Sequence, residues 1–267
     1  MWFTKLSDRL PAHAFLYSLV IAVTAGFAAG YIGSLMILEK MALVGDALSH
    51  VALPGLAIGI LLNFYPFIGA FAFLFGSAVA IWYLRKITRL SFETLVGTVF
   101  TLALAVGILI IPQVDLLEAL FGDITSVELA DAVVAVIFSA VAIILTKMIY
   151  DRIVLSIISE ELATSSRVNV SRINLLYLVL VALVVSIGIK IVGTLLVGFL
   201  VVTPAAAAKN ISNNKLRYSV LSGSFGVASA SAGVLLSSLI NQPAGPLAVF
   251  SGMTIFLITV GMRWASK

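Results

Sequence analysis

The sequence predicts an all-α membrane protein, a polytopic bundle of about nine transmembrane helices with its amino terminus outside and its carboxyl terminus inside. Three observations lead there. The 267-residue chain is 61% hydrophobic and 10% charged, with a mean hydropathy of +1.18, whereas soluble domains carry about 25% charged residues. Its apolar residues fall in runs close to the ~20 residues a helix needs to cross the hydrocarbon core. When those runs are threaded alternately, all of the 16 Lys and Arg except Lys5, Arg9 and Lys190 fall on one side. Basic residues concentrate on the cytoplasmic side, which sets the orientation.

The runs are 14–38, 41–62, 66–84, 95–112, 131–149, 173–189, 191–208, 218–240 and 246–263. The first follows Lys5 and Arg9 and superficially resembles a signal peptide. The same apolar pattern recurs along the whole chain, so it is a retained span, with a short interfacial helix expected at Lys5 to Leu10. The sixth and seventh runs are parted by Lys190 alone, as a tight hairpin or one broken element, so the count ranges from eight to ten. The acidic residues Asp115, Glu118, Asp123, Glu128 and Asp131 fall outside. The whole of 1–267 is one transmembrane domain; no low-complexity segment or repeat stands out.

The longest inner segment, 150–172, carries Ser159 as an N-cap, Glu160 and Glu161 in a first turn, and Arg167 beyond. These are helix start and stop signals. They describe either a short helix on the inner surface that docks a soluble partner, or a plain solvated linker. The run at 218–240 is rich in Ser, Gly and Ala, and Gly26 with Gly30 and Gly55 with Gly59 form G-x-x-x-G pairs. Small residues let helices approach closely in lipid, within the bundle or at a subunit interface.

The chemistry concentrates in the second run. Asp46 and His50 are spaced i,i+4, which puts both on one face of a helix. An ionisable side chain at the bilayer centre costs roughly 2.5–3.5 kcal/mol on insertion scales, so such residues usually face a pathway or a partner. The plain alternative is a carboxylate and an imidazole satisfied by neighbouring groups. Pro54 follows, and a proline there frees the carbonyl of His50. Imidazole with carboxylate suits zinc, manganese or ferrous iron. One chain supplies two ligands; a two-fold dimer brings two Asp46 and two His50 to its axis. Ser49 adjoins His50 but points about 100° away on a helix, so the two do not pair.

Other chemistry is excluded or ambiguous. No cysteine is present, hence no disulfide framework, thiolate metal site or cysteine nucleophile. There is no phosphate-binding G-x-x-x-x-G-K-[ST] loop and no H-E-x-x-H, so any ATP site belongs to another chain and a zinc protease is not indicated. The basic residues lie in short loops, which reflects topology rather than nucleic-acid binding. Leu120 to Asp123 reads as a landing place for a metal-carrying partner or as a solvated acidic loop. Thr203-Pro204, near the inner end of the seventh run, reads as a kink lining the inner pathway or as ordinary helix termination. His13 is a polar flank.

Lys40 to Gly55, with Met-Ala-Leu-x-Gly-Asp-Ala-Leu-Ser-His and Leu-Pro-Gly, carries a resemblance that Leu120 to Asp123, Gly193 to Ala208 and Asn241 to Pro246 extend over nearly the whole chain. The sequence resembles the permease subunits of bacterial metal ABC transporters, those paired with zinc- and manganese-binding extracellular proteins. The resemblance implies a multi-pass importer of the bacterial plasma (inner) membrane. It would comprise two permease subunits, cytoplasmic ATP-binding subunits and an extracellular or periplasmic metal-binding protein. No cofactor would be held permanently, and the zinc or manganese ion would be cargo. It places Asp46 and His50 on the pathway; Ser49, Pro54, Thr203 and Pro204 are candidate pathway or gate residues. It makes 159–170 a coupling helix to the ATPase, with Glu160, Glu161, Ala163 and Arg167. The family usually has glycine where Arg167 stands and often proline where Glu160 stands. Two other readings compete: a secondary transporter in which Asp46 and His50 relay protons without an ATPase, and a permease for metal chelates or vitamins.

Overall fold

The structure, a computed structural model, describes residues 12–88, 90–110, 120–122, 127–194 and 196–265. The ordered elements among them are helices: α1 (Ala12–Leu38), α2 (Ala42–Leu61), α3 (Pro66–Thr88), α4 (Phe92–Ile110), α5 (Leu129–Ile158), α6 (Glu160–Ser165), α7 (Val170–Val192), α8 (Val197–Ile211), α9 (Lys215–Ile240) and α10 (Ala244–Ala265). The expected all-α bundle is what forms. Eight of these helices are long and apolar enough to cross a bilayer. The seventh expected run is the shorter α8. Its 15 residues reach about 22 Å, less than the ~30 Å hydrocarbon core. The interfacial helix expected at Lys5 to Leu10, and Asp115, Glu118 and Asp123, lie outside the described residues.

The break expected at Lys190 falls three residues later. α7 continues to Val192 and stops at Gly193, whose φ of +81° is a conformation glycine adopts without steric cost. Lys190 is used across helices instead. Its ammonium lies 3.4 Å from the Asp131 carboxylate and 4.8 Å from the centroid of the Phe67 ring, and Tyr65 donates a hydrogen bond to Asp131. Asp131 also accepts from the backbone N–H of Glu128 at 2.9 Å, closing the first turn of α5. Part of the acidic cluster expected outside is therefore helix capping and ion pairing.

α1, α2 and α7 form the centre. Their apolar stretches are about 70% buried, against 22% for α4 and α10, and Leu35, Met36, Leu48, Val51, Leu178 and Val181 are fully enclosed. Leu109, Leu239 and Phe250 point outward, where lipid replaces water. Lipid tails are as apolar as leucine, so helices associate in a membrane by close fit rather than by expulsion of water. The small residues supply that fit inside the bundle. A Cβ added at Gly30 would lie 2.1 Å from the carbonyl oxygen of Ser222 on α9, and one at Gly55 would lie 2.2 Å from that of Gly69 on α3. Both G-x-x-x-G pairs and the small-residue face of α9 are thus accounted for by internal packing.

Candidate metal passage

α2 carries the two expected ligands. The helix runs unbroken from Ala42 through Pro54 to Leu61. At 1.5 Å per residue Asp46 and His50 stand about 6 Å and 12 Å from its first residue, in the half nearest the α1–α2 turn rather than at mid-span. Asp46 is exposed on the single chain and His50 is half-buried. The imidazole packs on the ring of Phe100 of α4, with centroids 5.6 Å apart. Its Nδ1 is buried without a hydrogen-bond partner. Ser49 is fully buried and donates to the backbone carbonyl of Asp46 at 2.5 Å. It braces the helix and leaves His50 alone, as their angular separation requires.

Two residues that sequence reasoning did not assign hold this pair. Phe100 is one. Gly198, in the first turn of α8, is the other: a Cβ there would meet the Asp46 Cα at 2.5 Å and Oδ1 at 2.9 Å. The absence of a side chain lets α8 close directly on the carboxylate. The stretch from Gly193 to Ala208 carried the resemblance without singling out this glycine. Further along α8, Thr203 is half-buried, and Pro204 is buried within a helix that continues past it. Among the described residues no group of three or more His, Asp or Glu gathers in one place. Asp46 and His50 are thus two candidate ligands, fewer than the four of an ordinary zinc site.

At the end of the bundle nearest these ligands lies the candidate coupling segment. Ser159 caps α6 by accepting from the backbone N–H of Leu162 at 3.2 Å. Arg167 ends it with φ +59°. The N–H of Arg167 bonds the carbonyl of Thr164, and that of Val168 bonds the carbonyl of Ala163, both at 3.0 Å. This is a Schellman ending, which normally places glycine at the left-handed position. Arginine stands where the resemblance leads one to expect glycine, and the backbone is the one glycine favours. Glu160, Glu161, Leu162 and Arg167 are exposed, while Ala163 is fully buried against its own chain. A partner would meet the former, with Ala163 anchoring the helix.

At the opposite end the separate motifs converge. A Cβ at Gly193 would meet the carbonyl oxygen of Leu120 at 2.1 Å, and one at Gly245 would meet those of Val192 and Phe121 at 2.5 and 3.1 Å. Leu120 to Gly122 thus rests on the α7–α8 turn and the start of α10; Asp123 lies outside the described residues.

The profile of the ABC 3 transport family matches residues 12–263. The chain belongs to that family. The chain is 33% identical to the manganese transport system membrane protein MntC of Listeria monocytogenes serovar 1/2a, over 94% of this chain and 91% of that one. It is 30% identical to the high-affinity zinc uptake system membrane protein ZnuB of Buchnera aphidicola, over 86% and 90% respectively. Among solved structures, PsaBC from Streptococcus pneumoniae in complex with Fab superposes with a TM-score of 0.82 at 31% identity, covering 96% of this chain and 94% of that one. This ABC 3 family member is a multi-pass permease of the bacterial inner membrane, and its family's ATPase is a separate subunit.

Proposed function

We propose that the chain is the permease subunit of an ATP-driven importer of divalent transition-metal ions, manganese or zinc, with ferrous iron served by the same ligand types. The ion passes between two copies of the chain through Asp46 and His50 of each. The observation that carries this reading is the placement of Asp46: ionisable, within a membrane-spanning helix, and exposed on the single chain. A carboxylate turned to lipid is costly, so the face it occupies opens on a water-lined passage or a partner. A two-fold arrangement supplies two carboxylates and two imidazoles, enough to replace the water of one divalent cation. The names of the relatives support manganese or zinc as the cargo.

The amino terminus lies outside, so the α1–α2 turn and α6 face the cytoplasm. There α6 engages an ATP-binding subunit through Glu160, Glu161 and Arg167, while Leu120 to Asp123 faces an extracellular metal-binding protein. ATP hydrolysis on the partner rocks the two bundles about the site. The family does not favour the proton-relay reading.

Asp46→Ala and His50→Ala, each made in the assembled transporter, abolish uptake of radioactive manganese or zinc while leaving the protein correctly inserted. Normal uptake by both variants overturns the assignment. Metal flux driven by a pH gradient through the chain reconstituted alone overturns the ATP-driven reading.

A further inference from the structure

Beside the coupling segment, a cavity of about 430 Å³ gathers Glu39 and Lys40 of the α1–α2 turn, Arg85 of α3, Phe92 and Glu93 of α4, and Glu160 of α6. Arg85 occupies a particular place in it. Its guanidinium lies 3.7 Å from the centroid of the Phe92 ring, and it feels the charges of both Glu160 and Glu39. Among the described residues it closes an ion pair with neither. A planar cation stacked on an aromatic face can slide while keeping its contact. One arginine thus stands beside two carboxylates on different parts of the chain.

Those parts are the two that coupling must connect. Glu160 opens the coupling helix. Glu39 rides on a stiff turn: the N–H of Met41 bonds the carbonyl of Met36 at 2.9 Å, Lys40 takes φ +61°, and the N–H of Val44 bonds the carbonyl of Met41 at 3.0 Å. The turn therefore fuses the end of α1 to the start of α2, one turn before Asp46.

We propose that Arg85 is a positioning residue that ties the coupling helix to the metal-bearing helix, exchanging between Glu160 and Glu39 as the transporter cycles. The inference rests on the proposed coupling role of α6 and goes beyond it by naming the connection. Closing on Glu39 draws on the turn that carries α2; closing on Glu160 releases it. Such a link needs Glu39 ionised. Burial pushes its carboxyl up to about 7, against the opposing pull of Arg85. Lys40, Glu93 and Glu160 also border it in the cavity, and Tyr177 of α7 feels its charge. The link is therefore made above pH 7 and lost below it.

The test uses the permease with its ATPase subunit in proteoliposomes, reading metal ions moved per ATP hydrolysed at pH 8 and pH 6. Arg85→Gln lowers the ratio at pH 8 by about fivefold or more, the range of ordinary coupling between sites, with ATP still hydrolysed; Arg85→Lys, which keeps the charge and loses the planar stack, recovers only part of it. Glu39→Gln gives a low ratio at both pH values, whereas the wild type falls from pH 8 to pH 6. If Arg85→Gln does not fold, Glu39→Gln alone decides. An unchanged ratio in an assembled Arg85→Gln complex overturns the link and leaves the proposed function standing, as does a Glu39→Gln profile that follows the wild type. A wild-type complex that moves no metal with ATP overturns the proposed function, and the link with it.

Discussion

Glu39 sits half-buried in the α1–α2 turn, and its pKa rises from 4.5 to about 7 because burial penalises the carboxylate. The folded chain favours the protonated form relative to the unfolded chain. The stability this contributes is complete below about pH 4.5 and is lost as pH rises through 7. The purified permease is therefore expected to melt at a lower temperature at pH 8 than at pH 6, and Glu39→Gln to flatten that difference. Melting curves with equal slopes for both proteins would refute it. Gly198 offers a second test. Gly198→Ala forces a methyl against the Asp46 backbone, costing about 1–3 kcal/mol as overpacking does, and lowers metal uptake more than Gly76→Ala, where the added Cβ meets nothing. Uptake equal in the two variants would show that α8 does not set the carboxylate. Asp46 and His50 stood out in the sequence as candidates because ionisable residues within an apolar run are rare. Gly198 and Phe100 were not, because their role lies in contacts between helices distant along the chain, which periodicity does not report. Glu39 drew no attention in the sequence, because the residues that border it, Arg85 and Glu160 among them, come from far along the chain.

Helix boundaries followed local chemistry where that chemistry was strong. Ser159, Asn169 and Asn214 each cap a helix through a side-chain oxygen, and Ser159 was visible in advance as a cap. The α7 terminus was not placed correctly, because a lysine looked out of place at membrane depth. Asp131 and the Phe67 ring offset that charge, so the helix continues to a glycine that can turn. A left-handed non-glycine residue typically costs about 1 kcal/mol or more. Arg167→Gly at the end of α6 should therefore raise the melting temperature, by relieving the φ of +59°. It should also weaken binding to the ATPase subunit if the guanidinium contacts it. A lower melting temperature would show that Arg167 holds the ending by contacts of its side chain.

At the scale of the molecule, the sequence revealed the class and most of the span order, since an apolar run of twenty residues has few other uses. The helix ends that gather around the Glu39 cavity come from α1, α2, α3, α4, α5, α6 and α7, and alternate threading places all of them on one side. The quaternary arrangement was inferred rather than read. Among the described residues one chain gathers too few candidate ligands and leaves the Asp46 carboxylate exposed, and both deficits vanish if two copies share an axis. The most direct measurement of this claim is the amount of manganese or zinc bound by the purified permease, counted by elemental analysis against protein. The account predicts one tightly held ion for every two chains, lost in both Asp46→Ala and His50→Ala. One ion per chain, or an ion retained by either variant, would contradict it.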